Sequence, residues 1–210
     1  VRLQTNRLGE LGDQLAQAHH WLALAERYSA AGSDAFNMIY TAGFQGFLAL
    51  KEGTGPAVER QQMEALKTAR VMQRKDFCVF FLNTLCEIGA DRGDVEPILA
   101  MVGEALPLAR DLNESYLVAT NLLHGALALH RQAARFVHSH EAERRVDQLI
   151  AAAVAIAQRS DPENHQAGVA YRRTLDRLCG VMGDDRLTAA VAQTPVMAMD
   201  EAIRFFLQST

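Results

Sequence analysis

Residues 64–70 read EALKTAR, and residues 104–110 read EALPLAR. Two nearly identical words forty positions apart predict one structural unit written more than once. Their surroundings agree. Gly53 precedes Ala65 by twelve positions, and Gly93 precedes Ala105 by twelve. A third version, AAVAIAQ at 152–158, aligns on Ala153 and Ala157 after a longer turn. Each word closes a pair of helical segments, a greasy one followed by a more amphipathic one.

The helical reading rests on apolar residues at three- and four-residue spacing, on scarce proline and on the near absence of strand-like alternation. A first helix is expected over 10–31, where Leu11, Leu15, Ala18, Leu22 and Ala25 share a face, with Ser33 or Asp34 capping the next. Hairpins are expected over 35–74, 76–110, 115–159 and 167–192, and a last helix over 197–208. The stretch FNMIYTAGFQGFLAL is apolar almost all round and predicts cover on several sides. Within it Gly43 and Gly46 allow a neighbour to approach closely. Pro56 suits a first helical position, since its missing N–H would be unpaired there anyway. Asp76 is expected to cap the following helix. RQAARFVHSHEAE reads as a long connection. Pro107 removes the hydrogen bond to residue 103 and predicts a bend or an early helix end.

Stacked hairpins bury faces that one hairpin alone leaves open, so the expectation is an all-α fold: a right-handed α-α superhelix forming a single domain over 1–210. The order small residue, Gly, then Ala-Leu-x-x-Ala resembles tetratricopeptide-like repeats. It reads Gly46, Gly53, Ala65 in the first unit and Cys86, Gly93, Ala105 in the second. In the third, Gly125 precedes Ala153, with Val154 in the place of Leu. The Trp and Tyr of the standard 34-residue repeat are missing, and the spacing here is longer. LVATNLLHGALALH and LDRLCGVMGDDRLTAAVA resemble late hairpins in the repeat region of bacterial signalling ATPases and LuxR- or MalT-type transcriptional regulators. The resemblance spans roughly residues 15–195 and carries no catalytic motif. It implies a non-catalytic domain that binds a protein segment or a small regulatory ligand and adjoins other domains of a longer chain. The start at Val1, without methionine, fits an excised domain.

Composition narrows the alternatives. A formal charge of -4 in 210 residues supplies no basic stripe, so direct nucleic-acid contact is not expected. No apolar run reaches the ~20 residues of a membrane span. Cys78, Cys86 and Cys179 lie in apolar stretches without CxxC spacing, which predicts reduced core thiols and a cytoplasmic setting.

Chemistry-bearing patterns are few. His124 and His130 are six apart, about 600° around a helix, and face different ways. His19 and His20 diverge, and His138 and His140 read as loop residues, so neither metal nor cofactor is expected. LKEGTGPAVE lacks the GK[ST] ending of a phosphate-binding loop. Asp184 and Asp185 suit a helix start. EAERRVDQ reads as a solvated mixed-charge face. Phe44, Phe47, Phe77, Phe80 and Phe81 read as core. The repeat spacing places Tyr40, Asn83, Glu87, His130, Arg173 and Arg177 on the inner surface of the superhelix, the expected partner-binding groove. A self-associating scaffold, with a homodimer as its simplest form, and a closed-pocket ligand-binding regulator are the competing readings.

Overall fold

The computed structural model describes residues 20, 22–25, 27–28, 31–32, 35–52, 56–135, 140–160 and 165–209. The described residues form α-helices joined by short turns, with no strand among them. The helices run α1 (Ala35–Glu52), α2 (Pro56–Val71), α3 (Lys75–Arg92), α4 (Glu96–Asp111), α5 (Ser115–Arg135), α6 (His140–Gln158), α7 (His165–Met182), α8 (Asp184–Gln193) and α9 (Met199–Ser209). They fall into two compact units, residues 1–77 and 78–210. No helix among the described residues is long and apolar enough to cross a membrane.

EALKTAR lies in α2 and EALPLAR in α4, and the two words bury the same positions. Ala65, Leu66 and Ala69 are buried, as are Ala105, Leu106 and Ala109. Arg70 and Arg110 stand exposed in the last turn of each helix. Both helices then stop in the same way. The chain turns left-handed at Gln73 (φ 54) and at Asn113 (φ 56), and between them α3 stops at Gly93 (φ 82). At each stop the next N–H reaches back five residues: Arg74 to Ala69, Asp94 to Gly89 and Glu114 to Ala109. The left-handed residue itself bonds three back, to Arg70, Ala90 and Arg110. These are Schellman caps, which satisfy carbonyls that a helix end would otherwise orphan. They recur at intervals of twenty residues.

In the first unit α1 packs on α2. The fully buried Gln62 side chain lies directly over Gly46, where a Cβ would push its amide aside, and it donates to the Ala42 carbonyl at 2.6 Å. Gln61 donates to Gln45 beside it. Tyr40 packs on Phe44 and meets Phe77 edge-on. Of the expected core aromatics Phe81 is buried, but Phe44 and Phe80 are more than a third exposed. An apolar helical stretch therefore overstated the burial of those two. The Phe47 side chain lies outside the described residues, as do most of the expected first helix, Ser33, Asp34, His19 and His138.

In the second unit α5 is the centre. Every residue from Val118 to Leu129 is buried. Helices α4, α6, α7 and α9 all pack on it. First helices of successive hairpins touch (α5 on α7), and so do second helices (α6 on α8). Cys78 and Cys86 are buried in the core, while Cys179 is half-buried and bonds the Asp184 carboxylate.

Three boundary expectations need correction. Helix α4 continues through Pro107 to Asp111, with no early end. The residue one turn before the proline, Gly103, has the most permissive backbone and carries no side chain to crowd the ring. Asp76 sits inside the first turn of α3, paired with Arg74 at 2.5 Å, instead of capping it. The connection after α5 is much shorter than expected: α5 extends to Arg135, and α6 begins at His140. Charges explain both extensions. Arg131 and Arg135 donate to the Ala90 and Gly93 carbonyls at the end of α3, at 2.8 and 3.0 Å. Glu141 pairs with Arg144 and Arg145 in the first turns of α6. Neither interaction is visible as apolar periodicity.

Candidate functional site

Helix α3 places Asn83, Glu87 and Asp91 at four-residue spacing, so the three side chains line one face. Helix α7 places Arg173 and Arg177 one turn apart. In the folded second unit these two faces meet. Arg173 donates to Glu87 at 2.5 Å, Arg177 lies 3.7 Å from the same carboxylate oxygen, and Arg177 also donates to Asp91 at 2.8 Å. The result is a four-membered ion seam linking the first helices of two hairpins that are not neighbours in the chain. Helix α5 belongs to the hairpin between them.

The seam is graded from inside to outside. The Glu87 side chain is 4% exposed, Arg173 and Arg177 are 25% and 23% exposed, and Asp91 is 49% exposed. Burial raises the Glu87 carboxyl above its ordinary range, and the pull of Arg173 and then Arg177 offsets that only in part. A buried pair of this kind contributes little net stability, because desolvation cancels most of the attraction. Removing one partner is another matter, since the other charge is left stranded.

Beneath the seam, α5 contributes His124 and Asn121. His124 is fully buried, and neither ring nitrogen has a hydrogen-bond partner among the described residues. Burial, with the Arg177 charge adding to it, lowers His124 to about 3, so its imidazole is neutral at ordinary pH. Asn121 donates to the Leu117 carbonyl at 2.7 Å, while its own carbonyl oxygen and that of Asn83 stay unmatched. Arg131 completes the surroundings. Its guanidinium is pulled below its usual value by burial and then by Arg177.

The sequence-predicted residues therefore divide. Glu87, Arg173 and Arg177 come together as one cluster, although they bind one another instead of lining an open groove. The physical reason is charge: an acidic and a basic face on the same side of the unit neutralise each other. Asn83 is buried next to Glu87 on α3. His130 is half-buried on α5 and engaged in interactions of its own. Tyr40 belongs to the first unit, where it is 48% exposed. Asp91, His124, Asn121 and Arg131 were not singled out as groove residues. Asp91 was accessible in the sequence, four residues after Glu87 on the same face. His124 was weighed only as half of a metal pair.

Elsewhere in this unit an open recess of about 520 Å³ is lined by Arg110, Met199, Asp200 and Arg204, at the edge where α9 meets α4. Among the described residues no group of three or more His, Cys, Asp or Glu is placed to hold a metal ion. Comparison with protein-family models, with curated proteins and with solved structures finds no match to this chain.

Proposed function

We propose that this chain is a non-catalytic interaction or ligand-sensing domain of a larger bacterial regulatory protein, working in the cytoplasm, and that its partner carries carboxylates. On this reading the hairpins are tandem units of a right-handed, tetratricopeptide-like stack. The twenty-residue recurrence of the Schellman stops, the matched burial of the two EAL words and the like-on-like contacts of α5 with α7 and α6 with α8 support that reading.

The observation that carries the partner chemistry is the ion seam. Arg173 and Arg177 are each about a quarter exposed, and both are held by acids of the same chain. An acidic peptide segment or a small polycarboxylate offers those guanidiniums the same fork-to-carboxylate geometry. Binding then replaces an internal pair with an external one, and loosens the hold of α7 on α3. That exchange gives a sensing domain two states separated by a few charge contacts.

A fluorescein-labelled oligoglutamate peptide tests this by anisotropy. Wild-type protein is expected to bind it with an affinity that falls as salt rises. Replacing both arginines by glutamine should abolish binding. Glu87→Gln should strengthen it, because the internal competitor is gone while the arginines stay. An affinity unchanged by either replacement rules out the seam as the binding element.

A second reading, a self-associating scaffold, is favoured by the way the C-terminal helix is held.

A further inference from the structure

Helix α9 lies across three helices, α4, α5 and α6. Its apolar face is narrow and deep. Ala202, Ile203 and Phe206 are buried at 0–2% exposure, while Asp200, Glu201, Arg204 and Gln208 point outward. The receiving surface is shaped for this helix. At Gly125 on α5 a Cβ would stand 2.5 Å from the Phe206 ring, so only glycine leaves room for it. At Gly103 on α4 a Cβ would stand 3.9 Å from Leu207, a normal contact distance. At the edge, Arg110 of α4 and Met199, Asp200 and Arg204 of α9 line one recess.

The tether is slight. Residues 194–198 between α8 and α9 are not helical, Thr194 is already extended (φ -94, ψ 130), and Pro195 cannot join a helix interior. An amphipathic helix seated in a groove on a short hinge has the ingredients of helix-in-groove recognition and of exchange between identical copies.

We propose that the α4–α5–α6 face is a helix-docking groove whose occupant in trans is α9 of a second copy of this chain. Every contact of the closed form is reproduced in the exchanged form, so the two differ in the hinge and in the entropy of association. The tether gives its own α9 an effective concentration on the order of millimolar. Exchange is therefore favoured at high protein concentration, or where flanking domains hold two copies together. The inference rests on the α9 groove and is independent of the ion seam.

Disulfide trapping tests it. Gly103→Cys and Leu207→Cys are made as two single-site variants and as one double variant. The singles are mixed at high concentration, warmed, cooled and oxidised with oxidised glutathione, with wild-type protein as the control for its three native cysteines. A disulfide-linked dimer joining one chain of each kind is the expected product, and the double variant alone at low concentration should close within one chain. Light scattering of the wild type should show a dimer fraction that grows with concentration. Closure in the double variant with no linked dimer in the mixture overturns the proposal. So does a wild type that stays monomeric throughout.

Discussion

Glu87 and Arg173 are 86 positions apart in the chain, and their side chains meet at 2.5 Å. The contact joins α3 to α7 around the flank of α5. The Arg177–Asp91 bond spans the same 86 positions beside it, and together the two close the face on which a groove was expected.

Glu87→Ala is expected to destabilise the protein by about 2–4 kcal/mol, toward the lower part of the range for broken buried pairs because Arg173 and Arg177 keep some access to water. Urea unfolding of the single variants and of the Glu87→Ala, Arg173→Ala pair gives the coupling. About 1–3 kcal/mol is expected for residues in direct contact, and a coupling near zero would remove the seam as a stabilising unit.

Acid should act through His124. The ring titrates near 6.5 when unfolded and at about 3 when folded, so the unfolded chain binds more protons between those values. The stability it confers is complete above pH 6.5 and is lost as pH falls toward 3. From pH 7 to pH 5 the loss from this one residue is about 2 kcal/mol. His124→Leu should flatten that slope, and should be no less stable at pH 7, since two unmatched ring nitrogens leave the core. Wild-type and variant slopes that coincide across this window would falsify the assignment.

The left-handed stops predict gains as well as losses. Gln73→Gly and Asn113→Gly each relieve a side chain held at positive φ and should raise stability by about 0.5–1 kcal/mol. Gly93→Ala should lower it by about 1 kcal/mol. In a chain of this length these correspond to shifts of about 2–4 °C per kcal/mol in the thermal midpoint. A drop in midpoint for both glycine variants would contradict the capping geometry.

Gly125→Ala inserts a methyl group where the Phe206 ring lies. A destabilisation of about 1–3 kcal/mol is expected from overpacking. Adding Phe206→Leu should recover part of it, because the smaller side chain makes the space. Calorimetry on the two singles and the double decides. Strict additivity would mean the two side chains do not compete for that volume.

Helices were legible in this sequence because their signals are local. Pro56, the apolar spacing of α5 and the acidic start of α8 at Asp184 and Asp185 each specify an element within a few residues. Turns at Gly93 and Asn113 were marked by residue types that tolerate positive φ, whereas Gln73 carries no such mark, and α2 was read three residues too long. Long-range charge was harder to see. That Arg173 and Arg177 belong with Glu87 was recoverable from repeat spacing, but not that they would neutralise it: the spacing gives a side of the stack and no distance across it. Arg131 and Arg135 lengthened α5 through bonds to the end of α3, some forty residues upstream, where no window of local sequence reaches. His124 was passed over for a related reason, since its neutrality comes from burial inside the fold and not from its neighbours in sequence.

The enclosure of α5 bears on how this protein opens. Twelve consecutive residues, Val118 to Leu129, have no face toward water, so no single neighbour can swing away and leave the others intact without exposing apolar surface. Amide hydrogens along that helix should therefore be among the slowest of the second unit to exchange with solvent, at rates that approach those set by its global unfolding free energy.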